Sequence, residues 1–145
     1  MTRFAGKVVV VTGASRGIGA AIARRFASEG AALVAAANEP AVEGVAAEIV
    51  AAGGRAIAQI VDVTDPAQVV GLYDAAEQAF GRVDVSVQNA GVITIARIED
   101  MTEAEWDKVM AVNTKGVFLC CQEAIRRMRR HGQGGRLINT ASGQA

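Results

Sequence analysis

An excess of charge of either sign is missing from this sequence: 15 acidic residues balance 15 basic ones. The balance gives no indication of a nucleic-acid or membrane partner. No apolar run approaches the roughly 20 residues that a membrane-spanning helix needs. The start, MTRFAGKVVVVTG, also lacks the long apolar region and cleavage site of a secretory signal. We therefore expect a cytoplasmic protein.

Cysteine and histidine are scarce as well. The two cysteines are the neighbours Cys120 and Cys121, and adjacent cysteines rarely form a disulfide. We expect two small residues in or near the core of a protein from a reducing compartment. His131 is the single histidine and has no partner at metal-ligand spacing, so we predict no metal site.

Apolar runs typical of strands alternate with segments of helical periodicity throughout the 145 residues, a length that fits one domain. Half of the residues are hydrophobic, enough for a packed core. Buried strands are predicted at 7–13, 31–37, 55–61, 83–89 and 136–141. Helices are predicted at 17–29, from Pro40, from Pro66, and from a capping box at 102–105 through Met128.

Strands that are apolar on both faces and alternate with helices predict a parallel sheet covered on both sides. We predict a doubly wound α/β sheet with the strand order 3-2-1-4-5. The ligand crevice of such a sheet lies beyond the carboxyl ends of its strands. Small or polar residues follow all five of these ends: residues 12–19, Asn38 and Glu39, Asp62, residues 89–91, and Ser142.

The segment TGASRGIG after the first strand predicts a nucleotide site. Gly13 allows a tight turn off the strand, Gly17 lets the backbone approach a pyrophosphate, and Gly19 lets the helix pack close to the sheet. The amino terminus of that helix adds free N–H groups and a partial positive charge. A glycine loop alone is weak evidence, but its place between the first strand and a helix strengthens the prediction.

Five motifs together resemble the short-chain dehydrogenase/reductase family and occur in that family's order along the whole chain. They are TGASRGIG at 12–19, VDV at 61–63, QNAG at 88–91, AVNTKG at 111–116 and NTAS at 139–142. The resemblance implies an enzyme that interconverts ketones and secondary alcohols with NAD(H) or NADP(H). Gln88 stands where the family more often has asparagine, a change that we expect to affect strand packing more than chemistry.

The same resemblance assigns roles to individual residues. Asn113 matches the family's catalytic asparagine and Ser142 its catalytic serine. Asn113 could instead simply bond to backbone, as asparagines within helices often do. The implied cofactor-binding residues are Gly13, Ser15, Arg16, Gly17, Ile18, Gly19, Asn38, Asp62, Val63, Asn89, Ala90 and Gly91.

The residues after the second strand leave the choice between NAD and NADP open. Dinucleotide folds commonly place an acid there for the ribose of NAD, or a base for the 2′-phosphate of NADP. Asn38 can hydrogen-bond either ribose. Glu39 would repel a phosphate if it pointed inward, whereas Arg16 would attract one.

The family's acid–base tyrosine, and the lysine four residues after it, have no match in residues 1–145. The only tyrosine, Tyr73, lies far from Ser142 in the sequence and has no lysine at that spacing. We expect a cofactor-binding Rossmann-like domain that lacks the family's last two strands and its substrate loop. By itself it should bind cofactor without turning over substrate.

Partners and substrate follow only from the resemblance. It implies a homodimer or homotetramer paired through the long helix after Thr102, and the stretch HGQGGRLINTASGQA favours a small polyol, diol or hydroxyketone. A dinucleotide-binding module without chemistry, such as a redox sensor, and an interaction protein on a recycled fold remain alternatives. The basic run 126–131 closes a helix, so we interpret it as a solvated helix end.

Overall fold

The computed structural model describes residues 2–143, in which five strands alternate with helices. The strands are β1 (Val8–Thr12), β2 (Ala32–Ala37), β3 (Arg55–Ile60), β4 (Val85–Gln88) and β5 (Arg136–Asn139). The α-helices are α1 (Gly17–Ser28), α2 (Ala41–Ala51), α3 (Pro66–Phe80), α4 (Glu103–Met110) and α5 (Val117–His131). None of these helices has the length and apolar character that crossing a bilayer requires.

The strands form one parallel sheet in the order β3-β2-β1-β4-β5, which confirms the predicted topology. β1 lies at the centre, with Val10 paired to Val34 of β2 on one side and to Ser86 of β4 on the other. Every residue of β1 and β2 is buried, as their unbroken apolar sequences require.

Helices cover both faces of the sheet. Val9, Val11 and Leu33 pack on one face with buried residues of α1 and α2, while Val10 and Val34 pack on the other with α3 and α5. Successive side chains of a strand point to opposite faces, so a run of valines supplies both cores. The carboxyl ends of all strands are thereby left at one edge of the sheet.

Side-chain caps begin two of the helices, and one of them is the predicted capping box at 102–105. The Asp65 side chain accepts hydrogen bonds from the amides of Ala67 and Gln68 at the start of α3, and Thr102 and Glu105 form a capping box at α4. The helical run after Thr102 differs in one respect. Residues Ala111–Gly116, between α4 and α5, are π-helical and include Asn113. π-Helical turns are rare in proteins, and those that do occur are often found at functional sites.

Two sequence predictions were wrong. β5 was expected to be a buried strand, yet all four of its residues are exposed, because among the described residues it pairs only with β4. The interpretation of the basic run 126–131 as a solvated helix end is wrong for Arg127, whereas Arg126, Arg129 and Arg130 are exposed. Arg127 is buried and pairs with Asp74 and Glu77 of α3 and with Glu123, so it joins the two helices.

Glu29, at the end of α1, ties the amino-terminal residues to that helix. Its buried carboxylate accepts hydrogen bonds from Arg3, and from Nε of Arg25 at 2.7 Å. The hydrogen bond from Arg3, with the charge of both guanidinium groups, lowers the pKa of Glu29 from its ordinary value of 4.5 to about 2.

Acid should therefore weaken this contact. Because the folded-state pKa of Glu29 lies below its unfolded value, the carboxylate stabilises the fold above pH 4.5, and this stability is lost as the pH falls towards 2. We expect Glu29→Gln to lower the free energy of unfolding near neutral pH and to reduce its fall with acid. Urea unfolding at about pH 6 and about pH 3 measures both effects. Glu43→Gln, on an exposed face of α2, is the control; equal pH dependence in the wild type and Glu29→Gln would refute this role.

Candidate functional site

A cleft of about 250 Å³ opens at the carboxyl edge of the sheet. The segments after β1, β2, β3 and β4 all contribute to it, as the fold requires. Nine of the predicted residues line it: Gly13, Ser15, Arg16, Asn38, Asp62, Val63, Asn89, Ala90 and Gly91. Ala36, Ala37, Glu39, Val61, Val92 and Val112 complete the lining.

The glycine loop, residues 13–19, packs too tightly for side chains at two of its glycines. Gly13 has a φ of 66°, and a Cβ there would lie 2.8 Å from the Cα of Ala90. A Cβ on Gly19 would clash with the carbonyl oxygen of Gly13 and lie 2.5 Å from Nδ2 of Asn89. These two glycines let the start of α1 approach the ends of β1 and β4.

Gly17 differs from the other two glycines of the loop. It has a φ of 54°, and apart from its chain neighbours and the backbone of α1 a Cβ there would meet no described atom within 4 Å. Gly17 begins α1, and within residues 2–143 no side chain caps that end of the helix. The first turn of α1 carries no acidic residue either. Open space beside the amino terminus of a helix is an environment suited to an anion. Ile18, the next residue, is 67% exposed.

Thr12 joins the ends of β1 and β4. Its buried Oγ1 accepts hydrogen bonds from the amides of Asn89 and Ala90, each at 3.1 Å. Nδ2 of Asn89 in turn donates to the carbonyl oxygen of Gly13 at 3.3 Å. The sequence motifs do not assign Thr12 a role of its own, although a polar residue that ends a strand of valines is a visible signal.

Glu39 points towards the glycine loop. Its Oε1 accepts a hydrogen bond from Oγ of Ser15 at 2.6 Å and lies 3.8 Å from Nη1 of Arg16. Through these contacts the Glu39 carboxylate connects the segment after β2, to which it belongs, with the glycine loop after β1. Asn38, which precedes it, is exposed and also lines the cleft.

The segment after β3 is a tight polar turn. Oδ1 of Asp62 accepts hydrogen bonds from the amide and hydroxyl of Thr64, at 2.9 and 2.7 Å. The buried Val63 packs against Gly116 of the π-helical segment, where a Cβ would lie 2.8 Å from Cγ2 of Val63. The π-helical segment thus packs directly on a residue of the cleft.

Asn113 makes two hydrogen bonds to the loop after β4. Its Nδ2 donates to the carbonyl oxygen of Val92 and its Oδ1 accepts from the amide of Val92, both at 2.8 Å. Asn113 therefore bonds to backbone, which was the alternative to a catalytic role, and the backbone that it binds belongs to a neighbouring loop. Asn113 does not line the cleft but fixes Val92, which does.

Ser142 lies after β5 at the same edge of the sheet. Thr140, two residues earlier, donates from its amide to the carbonyl oxygen of Gln88 at 3.0 Å and from its hydroxyl to Oδ1 of Asn89 at 3.3 Å. These bonds hold the segment carrying Ser142 beside the end of β4. The residues that line the cleft do not include Ser142.

Gln88 takes part in packing within the sheet. Its amide is oriented so that both ends are satisfied: the oxygen accepts from Oγ of Ser86 at 2.7 Å and the nitrogen donates to Oδ1 of Asn139 at 2.9 Å. Gln88 therefore links β4 to β5, the structural effect expected of it.

Tyr73 lies outside the cleft. It is fully buried on α3, and its hydroxyl is 2.7 Å from Oγ of Ser86. Burial raises the pKa of this phenol, and the residue four positions later is Glu77. Tyr73 is therefore placed to stabilise the core and not to exchange protons with a ligand.

Comparison with known proteins identifies the family. The model of the short chain dehydrogenase family matches residues 7–145, and the chain therefore belongs to that family. An uncharacterized oxidoreductase of Methylorubrum extorquens is 46% identical over 98% of this chain and 57% of its own length. A D-threitol dehydrogenase of Mycolicibacterium smegmatis is 41% identical over 97% of this chain and 54% of its own length.

A solved structure gives the same result. A short-chain type dehydrogenase/reductase from Mycobacterium marinum, 40% identical, superposes with a TM-score of 0.93 over 96% of this chain and 57% of its own. The chain thus spans just over half the length of the relatives that it matches.

Proposed function

We propose that this chain forms the cofactor-binding part of an oxidoreductase that interconverts a secondary alcohol and a ketone with NAD(H) or NADP(H). The main support for the proposal is the position of the glycine loop. It leads into the start of α1 at the edge of a cleft that is formed by the segments after four strands. Membership of a family of dehydrogenases and reductases supports the reaction class.

The residues of the cleft fit such a cofactor. Gly17 and the first turn of α1 would hold the pyrophosphate, since the helix end is uncapped by side chains of residues 2–143 and the space beside Gly17 is open. Asp62 and Val63 would face the adenine, and residues 89–91 would support the cofactor from the centre of the sheet. When bound, the nicotinamide supplies the hydride chemistry.

Glu39 and Arg16 have opposite effects on a 2′-phosphate. A carboxylate directed into the cleft disfavours the extra phosphate of NADP, and the guanidinium 3.8 Å away favours it. Because the two charges lie together and act in opposite directions, the proposed cofactor is either NAD(H) or NADP(H).

Proton transfer is the step for which these 145 residues lack a suitable group. Ser142 would hydrogen-bond the substrate oxygen and Asn113 would order the surrounding loop, but neither side chain titrates near pH 7. Tyr73 is buried and bonded to Ser86. We propose that the chain alone binds cofactor without turnover, and that the whole protein oxidises a small polyol or diol with NAD or NADP, or reduces the corresponding hydroxyketone with NADH or NADPH. The D-threitol dehydrogenase relative supports that substrate class.

A second candidate is a dinucleotide-binding module without catalysis, which the burial of the single tyrosine favours. For either function we propose a cytoplasmic homodimer or homotetramer. An exposed apolar stripe along α4 and α5 supports self-association, formed by Trp106, Met110, Phe118 and Ile125.

Replacing Gly17 tests the cofactor site. We expect Gly17→Val to reduce the affinity for NADH and NADPH by at least about a hundredfold, because its side chain would fill the open space beside the first turn of α1. Titration calorimetry with each cofactor measures the change.

The matched control is Gly81→Val. Gly81 also has a left-handed φ, 82°, and open space at its Cβ, but it ends α3 away from the cleft. Both variants carry similar backbone strain, so only the Gly17 variant should lose affinity. Equal affinities in wild type and Gly17→Val would contradict the proposed site.

Turnover tests the catalytic part of the proposal. With NADH or NADPH and acetoin, or with NAD or NADP and threitol, the purified chain should show activity near background. Losing a general acid–base residue typically costs about 10²–10⁴ in rate. A chimera that continues after Ser142 with the corresponding carboxyl-terminal part of the D-threitol dehydrogenase should gain activity. Appreciable turnover by the 145-residue chain would disprove the need for a further acid–base group.

A further inference from the structure

A series of side-chain hydrogen bonds crosses the core from α3 to β5. The Tyr73 hydroxyl lies 2.7 Å from Oγ of Ser86, and the amide oxygen of Gln88 accepts a hydrogen bond from that Oγ at 2.7 Å. The amide nitrogen of Gln88 donates to Oδ1 of Asn139 at 2.9 Å. These four residues, named here the core network, belong to α3, β4 and β5. The network therefore joins a helix to the strand that precedes Ser142.

Each hydrogen bond in the core network has a defined direction. Ser86 has a single hydroxyl proton and donates it to the Gln88 oxygen, so Tyr73 has to donate to Ser86. Burial raises the pKa of Tyr73, and its hydroxyl therefore keeps the proton that this bond needs. Tyr73 thus orients the Ser86 hydroxyl. That hydroxyl in turn determines which end of the Gln88 amide faces Asn139.

The inner part of the core network is closed to water, whereas its outer end is not. Tyr73 and Ser86 are completely buried and Gln88 is 2% exposed. A buried polar atom that loses its partner destabilises the fold, so these three side chains have little freedom to change partners. All four residues of β5 are exposed, and among the described residues β5 pairs only with β4. A rigid buried network therefore ends on an exposed strand.

Gln88 contacts β5 and the segment after it in two ways. Its side chain binds that of Asn139, the last residue of β5, and its carbonyl oxygen accepts from the amide of Thr140 at 3.0 Å. Ser142 follows two residues later. The core network therefore ends directly before the segment that carries Ser142.

We infer that Tyr73 is a positioning residue: through Ser86 and Gln88 it holds the end of β5, and with it the segment that carries Ser142. The inference rests on the proposed function only for the role of that serine, which is to hydrogen-bond the substrate oxygen. It gives Gln88, the residue that departs from the family's more frequent asparagine, a part in placing the site. It also gives the only tyrosine of the sequence a role without proton transfer.

Amide hydrogen exchange of the ligand-free chain, followed residue by residue by NMR, tests the positioning role. Tyr73→Phe removes the hydroxyl and keeps the ring. We expect the Thr140 amide to exchange roughly three- to tenfold faster in this variant, the range that corresponds to the loss of one buried hydrogen bond. Ser86→Ala interrupts the core network one step further on and should accelerate the same amide by a similar factor. The result therefore does not depend on a single variant.

Val69→Ala is the matched control. Val69 is a buried residue of α3 and packs in the same hydrophobic cluster as Tyr73, but it has no polar side-chain atom. Its truncation should lower the global stability and accelerate exchange in the fully buried strand β2. The Thr140 amide should keep its wild-type rate. A tyrosine that only fills the core would give the same pattern as Val69→Ala, and that result would overturn the inference.

A double variant tests whether Tyr73 acts through Gln88. Gln88→Leu removes the amide and keeps a side chain of similar size, so it should also accelerate exchange at Thr140. Because the two residues act in series, Tyr73→Phe combined with Gln88→Leu should exchange no faster there than Gln88→Leu alone. Accelerations that multiply would show independent effects and would overturn the inference.

The exchange measurements do not depend on cofactor binding. An unchanged rate at Thr140 in both Tyr73→Phe and Ser86→Ala would overturn the positioning role and leave the proposed function standing. If the wild-type chain binds neither NADH nor NADPH in calorimetry, the proposed function fails. The expected exchange pattern would then still support the role of Tyr73 in holding the end of β5.

Discussion

The close approach of α1 to the ends of β1 and β4 is the constraint on which the cleft depends. Gly19 lies so near the Gly13 carbonyl and the Asn89 amide that a single methyl group would separate the helix from the sheet. Thr12 and Asn89 hold this contact with hydrogen bonds that join the two strand ends. Tight packing here places the start of α1, which no side chain of residues 2–143 caps, beside the loop residues that line the cleft.

The remaining parts of the site are placed relative to that contact. The parallel sheet brings the carboxyl ends of its strands to one edge, and two polar links then fix the loops found there. Asn113 binds both backbone groups of Val92, and Thr140 ties the segment after β5 to Asn89. The π-helical turn also packs Gly116 against Val63. A change at any of these links would be transmitted to the lining of the cleft.

Much of this could be predicted from the sequence, since strand order, helix starts and glycine positions follow from local patterns. Nine of the twelve cofactor-binding residues that the family motifs suggested line the cleft. Three features were not predictable in this way. The direction of Glu39 depends on where Ser15 lies in space, two partners of Arg127 come from α3, and the exposure of β5 depends on which strands flank it. Each is set by contacts between segments distant in the sequence, which periodicity does not record.

Amide hydrogen exchange with and without cofactor tests the central claim most directly, because it reports which segments a ligand protects. With saturating NADH or NADPH, we expect slower exchange in residues 13–19 and 89–92. No change is expected in the groove between α1 and α2, which is lined by Arg24 and Glu48. Protection confined to that groove, or no protection at saturating cofactor, would contradict the placement of the cofactor at the glycine loop.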